Sequence, residues 1–227
     1  MSDVQSNYPR TLGHGSYFVD IDGIKRAAIF GQIALLVFAT AMTIFQILLD
    51  IPEFKNDPSG PLIMVGLGII FAMILAGIVA IWSTMFWFTR THSAVCGLRG
   101  ITPRISSKVV GFFSGIPYLM LYIPLFYALE FLVVRSQSPD TSTMRWYTIF
   151  SKSKIVNIFG VFIVTDAALA AYGAVMEYVV RAPSILDSHM ADYISLAIFW
   201  VAVILGIRIA KNVNRNIEDL VNRARTA

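Results

Sequence analysis

A single carboxylate, Asp166, lies at the centre of a long apolar stretch and is the residue best placed to do chemistry. The stretch covers residues 155–180 and contains no Lys, Arg or Pro. An ionisable side chain at bilayer depth is costly, so it usually faces a partner group or a wet cavity and is a candidate functional site by default. We therefore expect Asp166 either to bond to a neighbouring helix or to bind a cation or relay protons.

Two further acids, Glu130 and Glu177, complete the candidate intramembrane polar site. Glu177 follows Asp166 by eleven residues, so it lies about three turns away on roughly the same helix face. That separation is too large for a two-carboxylate catalytic site on one helix. The sequence also lacks the short motifs of nucleophilic hydrolases, metalloproteases and phosphate-binding loops. These observations predict a protein with no catalytic residues that is not an enzyme.

Neither a metal nor a cofactor is predicted. The single cysteine, Cys96, excludes an internal disulfide and a pair of thiol ligands. The remaining candidates are the histidines His14, His92 and His189. Haem ligation by two histidines needs a facing pair at similar depth, and the topology predicted below places His92 and His189 on opposite sides. We expect all three histidines at the surface.

Composition indicates that membrane helices hold these residues. Of the 227 residues, 56% are hydrophobic and 14% are charged, whereas a soluble domain has about 25% charged residues. A spanning helix needs about 20 residues, and most of the apolar runs reach that length. The five apolar runs cover residues 27–49, 62–88, 109–134, 155–180 and 193–207.

The third run differs from the others because it contains helix breakers. Pro117 and Pro124 each interrupt helical hydrogen bonding, and Gly111 and Gly115 precede them. We predict an all-α polytopic integral membrane helical bundle with four spanning helices, in which 109–134 is a broken, re-entrant or interfacial element. The alternative is five spanning helices.

The distribution of basic residues favours four spans. With four spans, 16 of the 18 Lys and Arg residues lie on one side of the membrane and two on the other, whereas five spans divide them almost evenly. Cytoplasmic loops carry the excess of Lys and Arg. We therefore expect a multi-pass protein of the cell inner membrane with both termini in the cytoplasm. The predicted parts are a cytoplasmic tail 1–26, a membrane domain 27–210 and a cytoplasmic basic amphipathic tail 211–227.

Small residues recur at a spacing of four along several runs. At this spacing they let helix backbones approach closely in lipid. The spacing predicts helix packing, either within the chain, which we favour, or in a homodimer. The residues are Gly68, Ala72, Ala76 and Ala80 in the second run, Gly111 and Gly115 in the third, and Ala202 and Gly206 in the last.

The tail after Arg208 has apolar residues at helical spacing, among them Ile209, Val213 and Ile217, with basic residues elsewhere on the helix. We expect it to lie on the inner leaflet, attracted to acidic lipid, or to extend the last helix. Membrane lipid is thus a predicted partner. Nucleic acid is not, because no basic stretch is interleaved with aromatic residues.

Several motifs stand between residues 87 and 136. They are Trp87, Arg90, Thr102-Pro103, Gly115-Ile116-Pro117, Pro124, Glu130 and Arg135-Ser136, with a basic close over 207–215. Together these residues resemble a bacterial membrane-protein family known as domain of unknown function 4328. The resemblance implies the helical membrane architecture and no particular activity.

Short loops, small-residue helix faces and the lack of a catalytic set favour one function. We expect an accessory or scaffold subunit that packs against protein partner subunits in a larger inner-membrane complex. The alternative is a transporter of ions or small molecules, or a ligand-binding membrane protein, that uses Asp166 and the broken 109–134 element to line a cavity.

Overall fold

A computed structural model describes most of the chain. The described residues are 20–52, 60–100, 105–114, 131–136, 153–176 and 188–226. Apart from short turns, these residues are helical, and no strand occurs among them. The predicted all-α fold is therefore confirmed. The helices are α1 (Ile21–Leu49), α2 (Gly60–Arg99), α3 (Ser107–Ser114), α4 (Lys154–Ala174) and α5 (Ser188–Thr226), and residues 131–136 form a further helical segment.

Local sequence explains where several helices begin and end. Asp20 caps α1, because its carboxylate Oδ1 accepts a hydrogen bond from the backbone N–H of Gly23 at 2.8 Å. Ser106 precedes α3 and accepts from the backbone N–H of Val109 at 3.4 Å. The helix α2 stops where Gly100 adopts a φ of 61°, a left-handed conformation that glycine adopts without steric cost.

Four of these helices are long and apolar enough to cross a membrane: α1, α2, α4 and α5. The four predicted spans thus coincide with helices of sufficient length and apolar character. Most of the third apolar run, on which the alternative of five spans depends, lies outside the described residues. The helix α2 has 40 residues and α5 has 39, so each is about 60 Å long at 1.5 Å per residue. A hydrocarbon core of about 30 Å accommodates only half of such a helix. The remaining half of each helix must lie outside the hydrocarbon core.

The third apolar run is described only at its two ends. Its first part forms the eight-residue helix α3, and its last residues belong to the helical segment 131–136. The segment 131–136 is almost entirely buried, whereas α3 buries one side and exposes Val109 and Phe112 on the other. The predicted breaks at Pro117 and Pro124, together with Gly115 and Glu130, lie outside the described residues.

The chain divides into two compact units that share the long helices. We call residues 1–29, 82–157 and 208–227 the basic unit, and residues 30–81 and 158–207 the apolar unit. Every Lys and Arg of the described residues lies in the basic unit.

The two units bury different parts of their helices. In the apolar unit, large side chains such as Met64 and Phe71 are 71% and 63% exposed, as suits a surface that contacts lipid. The basic unit instead has a buried core. Its members include Ile24, Trp87, Phe88, Val95, Leu132, Ile209, Val213, Ile217 and Val221.

The C-terminal tail corrects one expectation. Residues 211–226 continue α5 without interruption, as the second interpretation of the tail predicted. Val213 and Ile217 are 0% and 1% exposed, so the apolar side of the tail packs against protein and not against the inner leaflet. Helical spacing identified which side is buried, but not what buries it.

Candidate functional site

Asp166 bonds to a neighbouring helix. It lies on α4, and its carboxylate Oδ1 accepts a hydrogen bond from the hydroxyl of Ser195 on α5. Both side chains are half-buried within the apolar unit. A carboxylate that accepts from a facing hydroxyl links two helices and satisfies part of its own need for hydrogen bonds.

Other polar groups of the apolar unit also make contacts between its helices. The indole N–H of Trp200 on α5 donates to Thr43 Oγ1 on α1 at 3.2 Å. The hydroxyl of Tyr193 donates to Asp50 at the end of α1. The rings of Phe38 on α1 and Phe199 on α5 meet edge to face with centroids 6.0 Å apart. These contacts join α1 to α5 within the apolar unit.

The predicted small-residue faces are only partly used within the chain. Ala76 and Ala80 are buried, and Ala202 is 4% exposed, as expected of packing positions. A Cβ built on Gly206 would lie 3.8 Å from the ring of Phe159, an ordinary contact. Gly68 differs, because a Cβ there would meet nothing within 4 Å.

Ala72, one turn after Gly68, is also exposed. Packing within the chain, the favoured interpretation, is thus wrong for Gly68 and Ala72. Ala76 and Ala80, which continue the same row, are buried, so the spacing of four residues does not reveal which members of the row pack within the chain.

Gly111 on α3 marks a close approach between α3 and α2. A Cβ built there would lie 1.8 Å from Thr89 Oγ1 and 2.7 Å from the backbone oxygen of Met85 on α2. No side chain larger than hydrogen fits at that separation unless the helix moves. Glu130, Glu177 and Gly115 lie outside the described residues.

A buried polar cluster in the basic unit was not predicted. His92 on α2 is 0% exposed, so the expectation that it lies at the surface is wrong. Its Nδ1 is 2.9 Å from Ser107 Oγ on α3, and its ring stacks at a tilt on Phe131 with centroids 4.6 Å apart. Cys96, one turn further along α2, is buried with its sulfur 3.8 Å from the same Nδ1.

Some buried hydrogen-bonding capacity of the basic unit, His92 included, is unused. Within the described residues, His92 Nε2, Thr91 Oγ1 and Ser114 Oγ are buried and bond to no other group. Buried polar atoms of this kind are rare in native proteins. The sequence signal that could have found His92 is the buried helical spacing of Phe88, His92 and Cys96 beyond the apolar run.

A second group of polar contacts surrounds the end of the helical segment 131–136. Arg99 donates from Nε to the backbone oxygen of Arg135 and from Nη2 to that of Ser136, each at 3.2 Å. Asn216 of α5 donates to Ser136 Oγ at 3.1 Å. These bonds bring α2, α5 and the segment together within the basic unit.

The described residues do not form a metal centre, because no group of three His, Cys, Asp or Glu side chains among them could hold a metal ion.

Comparisons with known proteins do not supply a function. No protein-family model, no curated protein and no solved structure matches the chain. The resemblance carried by residues 87–136 stays a prediction.

Proposed function

We propose that this chain is a non-catalytic integral membrane protein that acts by associating with other membrane proteins. It would serve as an accessory or scaffold subunit of a larger complex in the bacterial inner membrane. The observation that carries this proposal is the open small-residue face of α2 at Gly68 and Ala72. Contacts with lipid do not require small residues there, whereas close contact with another helix does.

The surroundings of this face fit a helix contact. Val65 and Val79 are 54% and 46% exposed and lie on the same side of α2 as Gly68 and Ala72, at helical spacing. A row of glycine, alanine and valine presents a shallow surface against which a helix can pack closely. We therefore assign the contact with a partner subunit to this side of α2.

The bonding of Asp166 favours association over transport. A proton or cation path needs several polar groups that face a wet route. Asp166 instead accepts from Ser195 across α4 and α5. Transport remains the alternative function, and it requires Asp166 to release Ser195 and face water.

Charge supports the orientation included in this proposal. The basic unit contains every Lys and Arg of the described residues, and it includes both ends of the chain. Basic residues concentrate on the cytoplasmic side of inner-membrane proteins. Both termini would accordingly lie in the cytoplasm.

The test is purification of the tagged full chain from native membranes in mild detergent, with mass spectrometry of the chains that co-purify. Gly68→Leu together with Ala72→Leu fills the open face, and we expect it to remove a stoichiometric partner that the unchanged protein retains. Ile74→Phe is the matched control, because Ile74 is 55% exposed on another side of α2. Recovery of the unchanged protein without any partner would contradict the proposal, as would equal partner loss in both variants.

A further inference from the structure

We infer that a row of three residues on α2, Trp82, Phe86 and Arg90, is a binding site for one acidic phospholipid. The lipid phosphate would bond to Arg90, and part of an acyl chain would lie against the two rings. All three residues belong to the basic unit. The inference does not depend on the proposed function, because the open face at Gly68 and Ala72 lies more than two turns earlier on α2.

The three side chains share one exposed side of α2. They follow one another at intervals of four residues, which places each about one turn after the last. Trp82 and Phe86 are 69% and 43% exposed, and Arg90 is exposed as well. The apolar run 62–88 ends two residues before Arg90, so its guanidinium lies at the depth of the headgroups and the rings lie nearer the hydrocarbon. This order matches the order of phosphate and acyl chain in a phospholipid.

Arg90 has a defined orientation within the row. The central carbon of its guanidinium lies over the ring of Phe86, 5.1 Å from the ring centroid. Attraction between the cation and the ring face restricts the side chain. Stacking uses the flat face of the guanidinium and leaves its N–H donors, which lie in the plane, free to bond outward. Paired donors in one plane match the oxygens of a phosphate group.

No carboxylate of the described residues neutralises Arg90. The helix α2 contains no Asp or Glu. The four described acids of the basic unit lie elsewhere, and none forms an ion pair with Arg90. They are Asp20, which caps α1, Glu218, which pairs with Lys25, and Asp22 and Asp219, on α1 and α5. The phosphate of an acidic lipid supplies the negative charge that the row lacks.

The short helix α3 shows the same order of side chains beside α2. Its first residue, Ser107, bonds to His92, whereas its Gly111 packs against an earlier turn of α2, so the two helices run antiparallel. Lys108 and Phe112, which follow these two contact positions, are both exposed. A basic side chain at headgroup depth and an aromatic ring nearer the hydrocarbon therefore recur on a second helix, which supports an interfacial position for the row.

The experiment uses the full chain purified in mild detergent with an equal mixture of phosphatidylglycerol and phosphatidylcholine, and native mass spectrometry quantifies bound lipid. Arg90→Gln is expected to lower the affinity for phosphatidylglycerol about fivefold, the usual contribution of one basic residue to binding an acidic headgroup. Phe86→Leu keeps an apolar side chain but removes the stacked ring, so a loss of about twofold is expected. Arg90→Lys keeps the charge without the paired donors and should bind with intermediate affinity.

Arg208→Gln is the matched control. Arg208 is exposed, belongs to the basic unit and directly follows the last apolar run, but Ile204 stands one turn before it in place of an aromatic ring. It also lies on another side of α5 from Asn214, the residue that bonds to α2. Its substitution should leave phosphatidylglycerol binding near the original value. Unfolding temperatures equal to that of the unchanged protein would show that each variant is folded.

Three results would overturn the inference. The first is equal phosphatidylglycerol binding by Arg90→Gln and Arg208→Gln. The second is displacement of the lipid by excess inorganic phosphate, which makes no use of the two rings. The third is a partner protein that co-purifies from native membranes with the unchanged chain and is lost in Arg90→Gln, while phosphatidylglycerol binding stays unchanged. That third result would identify the row as a protein contact.

Discussion

The indole N–H of Trp87 donates to the side-chain oxygen of Asn214 at 2.9 Å, which joins α2 to α5 across 127 residues of sequence. Trp87 is 5% exposed, and its ring meets that of Phe88 edge to face with centroids 4.8 Å apart. The bond lies within the core of the basic unit. It therefore helps to hold the extended end of α5 against α2.

Removing either partner of this bond should destabilise the basic unit by different amounts. Trp87→Phe loses the donor, and the half-buried Asn214 can turn to water, so the lost bond costs about 1 kcal/mol, to which the cavity left by the smaller buried ring adds a further cost. Asn214→Leu leaves the buried indole N–H without its acceptor, which costs about 1–3 kcal/mol. Thermal unfolding of the single and double variants in one detergent measures the coupling, and additive effects of the two substitutions would contradict the bond.

Two glycines should respond in opposite directions to the same substitution. Gly111→Ala places a methyl group against Thr89 and the backbone oxygen of Met85, so α3 must move away from α2. Overpacking of this kind costs about 1–3 kcal/mol. Gly68→Ala meets nothing within 4 Å and should raise stability by up to about 1 kcal/mol through helix propensity. Unfolding temperatures measured under the same conditions decide the point, and a similar loss at both positions would refute the close approach at Gly111.

The spans could be predicted from sequence because the length of an apolar run is a local property. A run of about 20 apolar residues identifies a membrane helix whatever it packs against. The burial of His92 could not be predicted in this way. It depends on Ser107 of a different helix and on Phe131, and neither contact follows from local spacing.

For the tail of α5, the sequence predicts which side is apolar but not what that side contacts. The spacing of Ile209, Val213 and Ile217 correctly identified one apolar side. Lipid and a protein core are both apolar, so the pattern alone does not distinguish them. Asp166 is a parallel case, since its position in an apolar run predicts a partner group but does not identify Ser195.

Substitutions at Asp166 should separate a packing role from a transport role. Asp166→Asn keeps an oxygen that can accept from Ser195, so we expect near-normal stability and an unchanged set of co-purifying partners. Asp166→Leu removes the acceptor and should cost about 0.6 kcal/mol, the average for hydrogen bonds between membrane helices, and at most about 1.7 kcal/mol. Ser195→Ala is the reciprocal control and should cost a similar amount.

A transport role gives a different pattern. A carboxylate that carries a proton or a cation cannot be replaced by an amide, because the amide neither ionises in the physiological range nor carries charge. Loss of a cellular phenotype in Asp166→Asn, at normal abundance and unfolding temperature, would therefore favour transport. An unchanged phenotype in Asp166→Asn with a defect in Asp166→Leu is the result that packing predicts.

The orientation of α5 can be tested with one pair of cysteine variants. Met190 is 60% exposed near the start of α5, and Asn212 is exposed 22 residues later, about 33 Å along the helix. The natural Cys96 is buried, so the unchanged protein should react little with a membrane-impermeant maleimide and serves as the background control. In right-side-out spheroplasts we expect Met190→Cys to be labelled, and Asn212→Cys to be labelled only after the membrane is permeabilised.

This labelling pattern is expected because Lys and Arg are concentrated in the basic unit, which contains Asn212, and because basic residues prefer the cytoplasmic side. The reverse labelling pattern would place the C-terminus outside and would make the proposed cytoplasmic location of both termini wrong.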